Sequence, residues 1–245
     1  MQITATAVSD IGRVRKNNQD SVGCFPDMGL FLVADGMGGL KDGEVASRLA
    51  IDVIRDHMKS TNGGAQHPDT LDLLTAAIAS ANAEILHEGE ARNDDSGRSR
   101  IGATIVALRL AEDEGRAFWA HVGDSRLYRA RGGRLTLLTA DHTVAGAAYR
   151  DQRVVPLDLP HTNVLVQALG VAREVDPSLG SDDVRAGDLF LLCSDGVSGL
   201  IAPDVLERTL VEDVPLADKA SNLIRLALEA SGRDNASVVL VQVAD

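Results

Sequence analysis

In Leu30-Phe31-Leu32-Val33-Ala34-Asp35-Gly36-Met37-Gly38-Gly39, five apolar residues run unbroken into an aspartate and a glycine-rich turn. A short apolar run bounded by glycines reads as a buried strand. Behind it, Glu44–Met58 carries apolar side chains at Val45, Leu49, Val53, Ile54 and Met58, along one face of a helix. Two further helices follow from the same spacing, one through Leu71, Leu74, Ala77, Ile78, Ala81 and Ile85, the other through Leu216, Ala220, Leu223, Ile224 and Ala227. A shorter helix starts at Pro203, since proline suits a first turn.

Other strand-like segments are Ile3–Val8, Ala103–Leu108, Ala117–Val122, Leu127–Ala130, Leu135–Leu138, Val164–Leu169, Leu189–Cys193 and Val238–Val243. Gly132-Gly133 marks a hairpin turn, because glycine tolerates positive φ, and Ala111–Gly115 is a longer connection. Thr61–Pro68 and Arg92–Arg100 are polar and read as exposed loops. Strands come in groups with helices in pairs between or after them. That pattern favours an α+β sandwich over a doubly wound parallel sheet. No segment is a convincing interdomain linker, so residues 1–245 are expected to form a single domain.

Composition narrows the function. Hydrophobic residues make up 44% of the 245 residues and aromatics only 3%, so the core must rely on Val, Leu, Ile and Ala. So few aromatics argue against a base-stacking surface. The net charge of -12, with no basic stretch to offset it, argues against a nucleic-acid partner. Cys24 and Cys193 lie in apolar stretches and read as reduced thiols rather than a disulfide. The amino terminus lacks the basic region and apolar run of a signal peptide. Apolar runs such as Ala103–Leu108 are too short to span a bilayer. The chain ends at its last strand with no tail to anchor it, and a cytoplasmic protein is expected.

The chemistry sits in carboxylates at strand ends. Asp35 and Asp195 each follow an apolar strand and precede a glycine; Asp234 lies just before the last strand; Asp20 closes the polar run after the first. A strand ending in Asp-Gly delivers a carboxylate from a rigid base, and the glycine lets its own carbonyl approach a ligand. Mg²⁺ and Mn²⁺ favour such oxygen donors. Two such ions about 3.5–4 Å apart can share a water and lower its pKa. Taken singly, each Asp-Gly also suits an ordinary turn. The glycines at 36–39 lack the Gly-Lys-Ser/Thr ending of a nucleotide-binding loop.

Taken in order, a set of blocks stands out: Ser9-Asp10-Ile11-Gly12-Arg13-Val14-Arg15-Lys16-Asn17-Asn18-Gln19-Asp20, Asp35-Gly36-Met37-Gly38-Gly39, Gly102-Ala103-Thr104, His121-Val122-Gly123-Asp124-Ser125-Arg126, Ser194-Asp195-Gly196 and Gly232-Arg233-Asp234-Asn235. From about residue 3 to residue 243 the chain resembles the metal-dependent type 2C protein phosphatases, particularly the bacterial serine/threonine phosphatases. The resemblance implies a four-layer α-β-β-α sandwich with two antiparallel sheets and a metal site at one end. It implies two or three Mn²⁺ or Mg²⁺ ions. Asp35 would bridge two of them with the Gly36 carbonyl as a further ligand, Asp20 would bind one, and Asp195 and Asp234 the other. Arg15 would grip the substrate phosphate, a task suited to a guanidinium fork. Asp124 would join Asp195 at a third metal, and His121 reads as structural. The implied reaction is direct attack of a metal-bridging water on phosphoserine or phosphothreonine. The implied partners are phosphorylated proteins and a cognate kinase pathway, with the enzyme a monomer.

Two features depart from the wider family. Met37 stands where many eukaryotic relatives carry a histidine able to protonate the leaving oxygen. The flap at 143–163 is short, and its Arg150 and Arg153 are candidates for attracting phosphorylated segments. A catalytically silent phosphoprotein-binding module is the alternative from another class; a phosphatase dedicated to one phosphoprotein is a third. Retention of all four core aspartates counts against the silent module.

Overall fold

A computed structural model of the chain describes residues 1–38, 42–61, 69–92, 101–150 and 163–244. Its elements run β1 (Gln2–Asp10), β2 (Asp20–Phe25), β3 (Leu30–Gly38), α1 (Asp42–Thr61), α2 (Thr70–Ala91), β4 (Ile101–Ala103), β5 (Ile105–Ala111), β6 (Arg116–Val122), β7 (Arg126–Arg131) and β8 (Arg134–Leu137). They continue as α3 (Val144–Arg150), β9 (Ser178–Asp183), β10 (Leu189–Cys193), α4 (Asp195–Ser198), α5 (Pro203–Val211), α6 (Leu216–Ala230) and β11 (Ala236–Ala244).

The strands form two antiparallel sheets, one ordered β1-β11-β10-β7-β8 and the other β2-β3-β5-β6-β9, with β4 also paired to β3. The apolar run of β3 explains the layering. Side chains alternate across a strand, so Leu30, Leu32 and Ala34 pack under α1 and α2 while Phe31 and Val33 point into the space between the sheets. In β10, Leu189, Leu191 and Cys193 face α5 and α6 while Phe190 and Leu192 meet Phe31 and Val33 in the middle. Both strands are therefore covered on both faces, and the fold is α-β-β-α.

The expected helices are present, α2 capped by the Asp69 side chain accepting from Leu71 N at 2.9 Å and α5 beginning at Pro203. Gly132 and Gly133, at φ 58° and 80°, make the β7–β8 hairpin. Ala111–Gly115 turns β5 into β6. Most of Thr61–Pro68 and Arg92–Arg100 lies outside the described residues.

One expected strand is corrected. Val164–Leu169 makes only isolated bridges, Thr143 to Leu165 and Ala103 to Leu169. The run is apolar, but Val164 and Val166 face water, so no sheet face claims them. Two strands escaped the pattern. β2 is interrupted by Gly23, and β9 is nearly all polar. Gly180 of β9 lies against the Trp119 ring, where a Cβ would come within 2.3 Å. The strand edge is thus selected by what packs on it, not by its own hydrophobicity.

Candidate metal and phosphate site

The metal and phosphate residues read from the sequence gather at one end of the sandwich. Asp20 opens β2 directly opposite Asp35 on β3, which places the two side chains on one face of the pair. Asp35 lies within β3, not after it, at the point where the strand leaves β5 and turns to pair with β4. Thr104, between β4 and β5, holds that turn: its N–H donates to Asp35 O (2.8 Å) and its Oγ1 accepts from Asp35 N (3.0 Å). Ser125 braces Thr104 in turn, hydroxyl to hydroxyl, at 2.7 Å. Asp195 begins the one-turn helix α4 after β10, and Asp234 lies in the loop before β11. The open cleft between them, of about 290 Å³, is lined by Asp35, Gly36, Asp124, Asp195, Asp234 and Arg15, among others. Asp20 lies beneath it, buried, accepting from Ser194 Oγ at 2.7 Å.

Gly36 is required where it stands. A Cβ there would fall 1.9 Å from Gly43 O, and its N–H donates to Gln19 O at 3.0 Å. Gly12 is similarly confined, with a Cβ set to meet Asp234 O at 2.3 Å and φ at 81°. These close approaches seat the Arg13–Gln19 loop against the Asp234 loop.

Asn235 had no role in the sequence reading, yet it joins these two loops. Its Nδ2 donates to Ile11 O (2.8 Å) and Asn17 O (3.1 Å), and its Oδ1 accepts from Gln19 N (2.8 Å). Its own N–H donates to Asp234 Oδ1 at 2.9 Å. Its side-chain partners are more than 200 positions away, so although it closes the Gly232–Asn235 block, local pattern assigned it no role. Arg15 reaches into the cleft and donates to Asp234 Oδ2 at 2.7 Å, while remaining half exposed. Arg13 instead packs its stem against Gly232, which separates the roles of the two arginines.

The electrostatics are those of crowded like charges. Asp35 is held well above the usual carboxylate range, by burial first and then by Asp20 and Asp195. Asp20 is pushed up to about 6 by burial, against hydrogen bonds from Ser237 and Ser194 that favour its ionised form. Burial also raises Asp195, with Asp234 adding to it, and brings Asp124 up to about 7 with Asp195 contributing. Arg15 is raised by its hydrogen bond to Asp234. Asp20 Oδ1 and Asp195 Oδ1 are buried with no hydrogen-bond partner, a costly state for a carboxylate oxygen. Among the described residues, no three His, Cys, Asp or Glu side chains are drawn tightly around one point; the carboxylates ring the cleft.

A raised folded-state pKa means that the folded protein binds the proton more tightly than the unfolded chain. Stability from Asp20 is therefore full below pH 3.8 and is lost as pH rises through about 6. In chelator, the wild type is expected to lose on the order of 2–3 kcal/mol relative to Asp20→Asn between pH 4 and pH 7. Denaturant melts of both proteins across that range check this; a constant gap between them would contradict it.

Asp124 follows Gly123, which is clamped from both sides: Gly123 N donates to His142 Nδ1 (3.3 Å) and His142 N donates to Gly123 O (2.9 Å). His121 is buried and bonds Ala140 O through Nε2 at 2.9 Å, a structural placement as expected. Cys193 is fully buried and Cys24 half-buried, both unpaired, and burial raises both thiols. Arg153 and the side chain of Arg150 lie outside what is described.

The model of the protein phosphatase 2C family matches residues 13–240, and the chain belongs to that family. It is 38% identical over 243 residues to the serine/threonine protein phosphatase PstP of Mycobacterium tuberculosis, covering 98% of this chain but 45% of that protein. The chain thus spans about half the length of that relative. Protein phosphatase PhpP of Streptococcus pneumoniae is 30% identical over 250 residues, with 96% of each chain covered. Among solved structures, the catalytic domain of PstP in complex with two manganese ions superimposes with a TM-score of 0.84, at 37% identity and 99% coverage of both chains.

Proposed function

We propose that the chain is a metal-dependent protein serine/threonine phosphatase, hydrolysing phosphoserine and phosphothreonine on proteins, with residues 1–245 acting as one catalytic domain. The observation that carries this reading is the convergence of Asp20, Asp35, Asp195 and Asp234 from separate elements, with buried Asp20 Oδ1 and Asp195 Oδ1 left without donors. Hard divalent cations fit that donor set, since carboxylate oxygens and a backbone carbonyl are what they prefer and like charges without them repel. Asp35 and the Gly36 carbonyl, with Asp20 on one side and Asp195 and Asp234 on the other, would hold two Mn²⁺ or Mg²⁺ ions. Asp124 with Asp195 would hold a third. When bound, the cations offset charge on the phosphoryl oxygens and lower the pKa of a water aligned with phosphorus.

The protein's own groups then orient the ester. Arg15 is mounted on a loop fixed by Asn235 and stands over the cleft; leaving Asp234 frees its fork for two phosphate oxygens. Met37 lines the cleft and cannot donate a proton, so on this reading the leaving oxygen takes its proton from water or, for a good leaving group, needs no general acid. Both cysteines are unpaired, which suits a reducing cytoplasm, and no described helix is long and apolar enough to cross a membrane. The partners on this reading are phosphoproteins made by a serine/threonine kinase.

Hydrolysis of p-nitrophenyl phosphate and of a phosphothreonine peptide, with Mn²⁺ and with excess chelator, tests the proposal. Turnover that is abolished by chelator is expected; a protein that binds phosphopeptide without turning it over in either condition is a silent binding module. Arg15→Ala is expected to lower kcat/KM about 100-fold, with Arg15→Lys recovering part of the loss, as a point charge replaces a fork. Equal rates for all three would remove Arg15 from the site.

A further inference from the structure

Beside the carboxylate cleft lies a second cavity of about 180 Å³, and it is largely apolar. Leu165, Val166, Ala168, Val171 and Val175 line it, and Met37 and Leu165 border both cavities. Met37 and Val171 flank the bare backbone of Gly102, where a Cβ would stand 3.2 Å from Met37 Cγ and 3.3 Å from Val171 Cγ2. Around this pocket aliphatic side chains are left in water, Val166 at 48% exposure and Val171 at 64%. A cluster of that kind at the mouth of a site marks a binding surface more often than a solvated one.

The wall is also held rigidly, which a plain surface loop does not need. Asn82 of α2 is 1% exposed and spends its whole amide on it: Nδ2 donates to Ala172 O (2.9 Å) and Arg173 O (3.2 Å), and Oδ1 accepts from Gly170 N (2.8 Å). Leu169 and Ala103 exchange backbone hydrogen bonds of 2.8 and 3.2 Å, and Val166 N donates to His142 O at 2.8 Å. Small-molecule and side-chain pockets are typically preformed in this way.

We propose that this pocket receives an aliphatic side chain of the phosphoprotein substrate, one or two residues from the phosphorylated one, so that Met37 is a specificity-determining partition between phosphate and flank. The proposal rests on the phosphatase reading above. An occupant of both cavities must carry a phosphate and an apolar group on one short segment. Successive residues of an extended chain advance about 3.3–3.6 Å each, so a neighbouring residue spans a shared wall one side chain thick. At roughly 30 Å³ per water, the cavity has room for about six waters, the scale of one aliphatic side chain. Glu174 on its lining disfavours an acidic occupant. With a chain charge of -12, an uncharged anchor also adds affinity that repulsion between acidic proteins does not cancel.

The test is steady-state kinetics in Mn²⁺ with phosphothreonine peptides in a Gly/Ser background, a single Leu being walked over the three positions on either side. Wild type and Val171→Asp are compared, with p-nitrophenyl phosphate as the substrate that has no flank. Leu at one or two positions is expected to raise kcat/KM about tenfold or more, the effect of one well-placed aliphatic group. Val171→Asp is expected to abolish that gain and leave p-nitrophenyl phosphate turnover unchanged. Leu without effect at every position, or a gain that survives in Val171→Asp, overturns the proposal while continued p-nitrophenyl phosphate hydrolysis leaves the phosphatase reading standing. No hydrolysis of any substrate overturns that reading and this one with it.

Discussion

Asp35→Asn is expected to lower kcat for p-nitrophenyl phosphate by about 10²–10³-fold or more in saturating Mn²⁺, while raising the melting temperature of the chelated protein. Both effects come from one carboxylate. Asp35 faces Asp20 across the β2–β3 pair, lies close enough to Asp195 for the two charges to oppose each other, and borders the cleft. Stabilising developing charge in a site of this type supplies several kcal/mol, and each 1.36 kcal/mol is about tenfold in rate. An amide keeps the shape, yet removes the charge that burial and its neighbours oppose. Thermal melts with and without Mn²⁺ separate the two consequences. The variant should gain stability in chelator and show a smaller rise on adding Mn²⁺ than the wild type. Near-normal turnover, or a Mn²⁺ response equal to the wild type's, would contradict the site assignment.

Asn235→Ala carries the second large effect, and it acts through the loop it holds. Three side-chain hydrogen bonds to Ile11 O, Asn17 O and Gln19 N are lost at a residue 4% exposed. The groups left behind are backbone polar atoms at the edge of the core, and each unsatisfied one costs about 1–3 kcal/mol. Partial rescue by water brings the expected destabilisation to roughly 2–4 kcal/mol. Because Arg15 rides on this loop, kcat/KM is expected to fall about 100-fold even at temperatures where the variant is folded. The pairing of defects is diagnostic. Asn235→Ala combined with Arg15→Ala should lose little more activity than either alone, whereas additive losses in that double-mutant cycle would sever the link between them.

The apolar patterns carried most of the architecture. The runs in β3 and β10, the one-sided spacing in α1, α2 and α6, and the Gly132-Gly133 turn each have a local cause, so they could be read without the fold. Val164–Leu169 shows the limit of that reading. It is an apolar run as a buried strand is, but its side chains line a cavity wall or face solvent, which hydropathy alone cannot distinguish from a sheet face. β9 failed in the opposite sense, since a polar edge strand is specified by its ladder to β6 and by the Trp119 ring.

The aspartates that opened the case divide in the same way. The sequence by itself placed Asp35 and Asp195 behind buried apolar runs and Asp234 ahead of the last one, because apolar burial and a following glycine are local properties of the chain. That Asp20 faces Asp35, that Ser194 and Thr104 hold them, and that Asn235 ties the Arg15 loop beside Asp234 were decided only by the tertiary structure. So was the apolar pocket behind Met37. Hydrogen bonds between residues 69 to 224 positions apart leave no trace in local pattern, because their geometry exists only after the two sheets have packed.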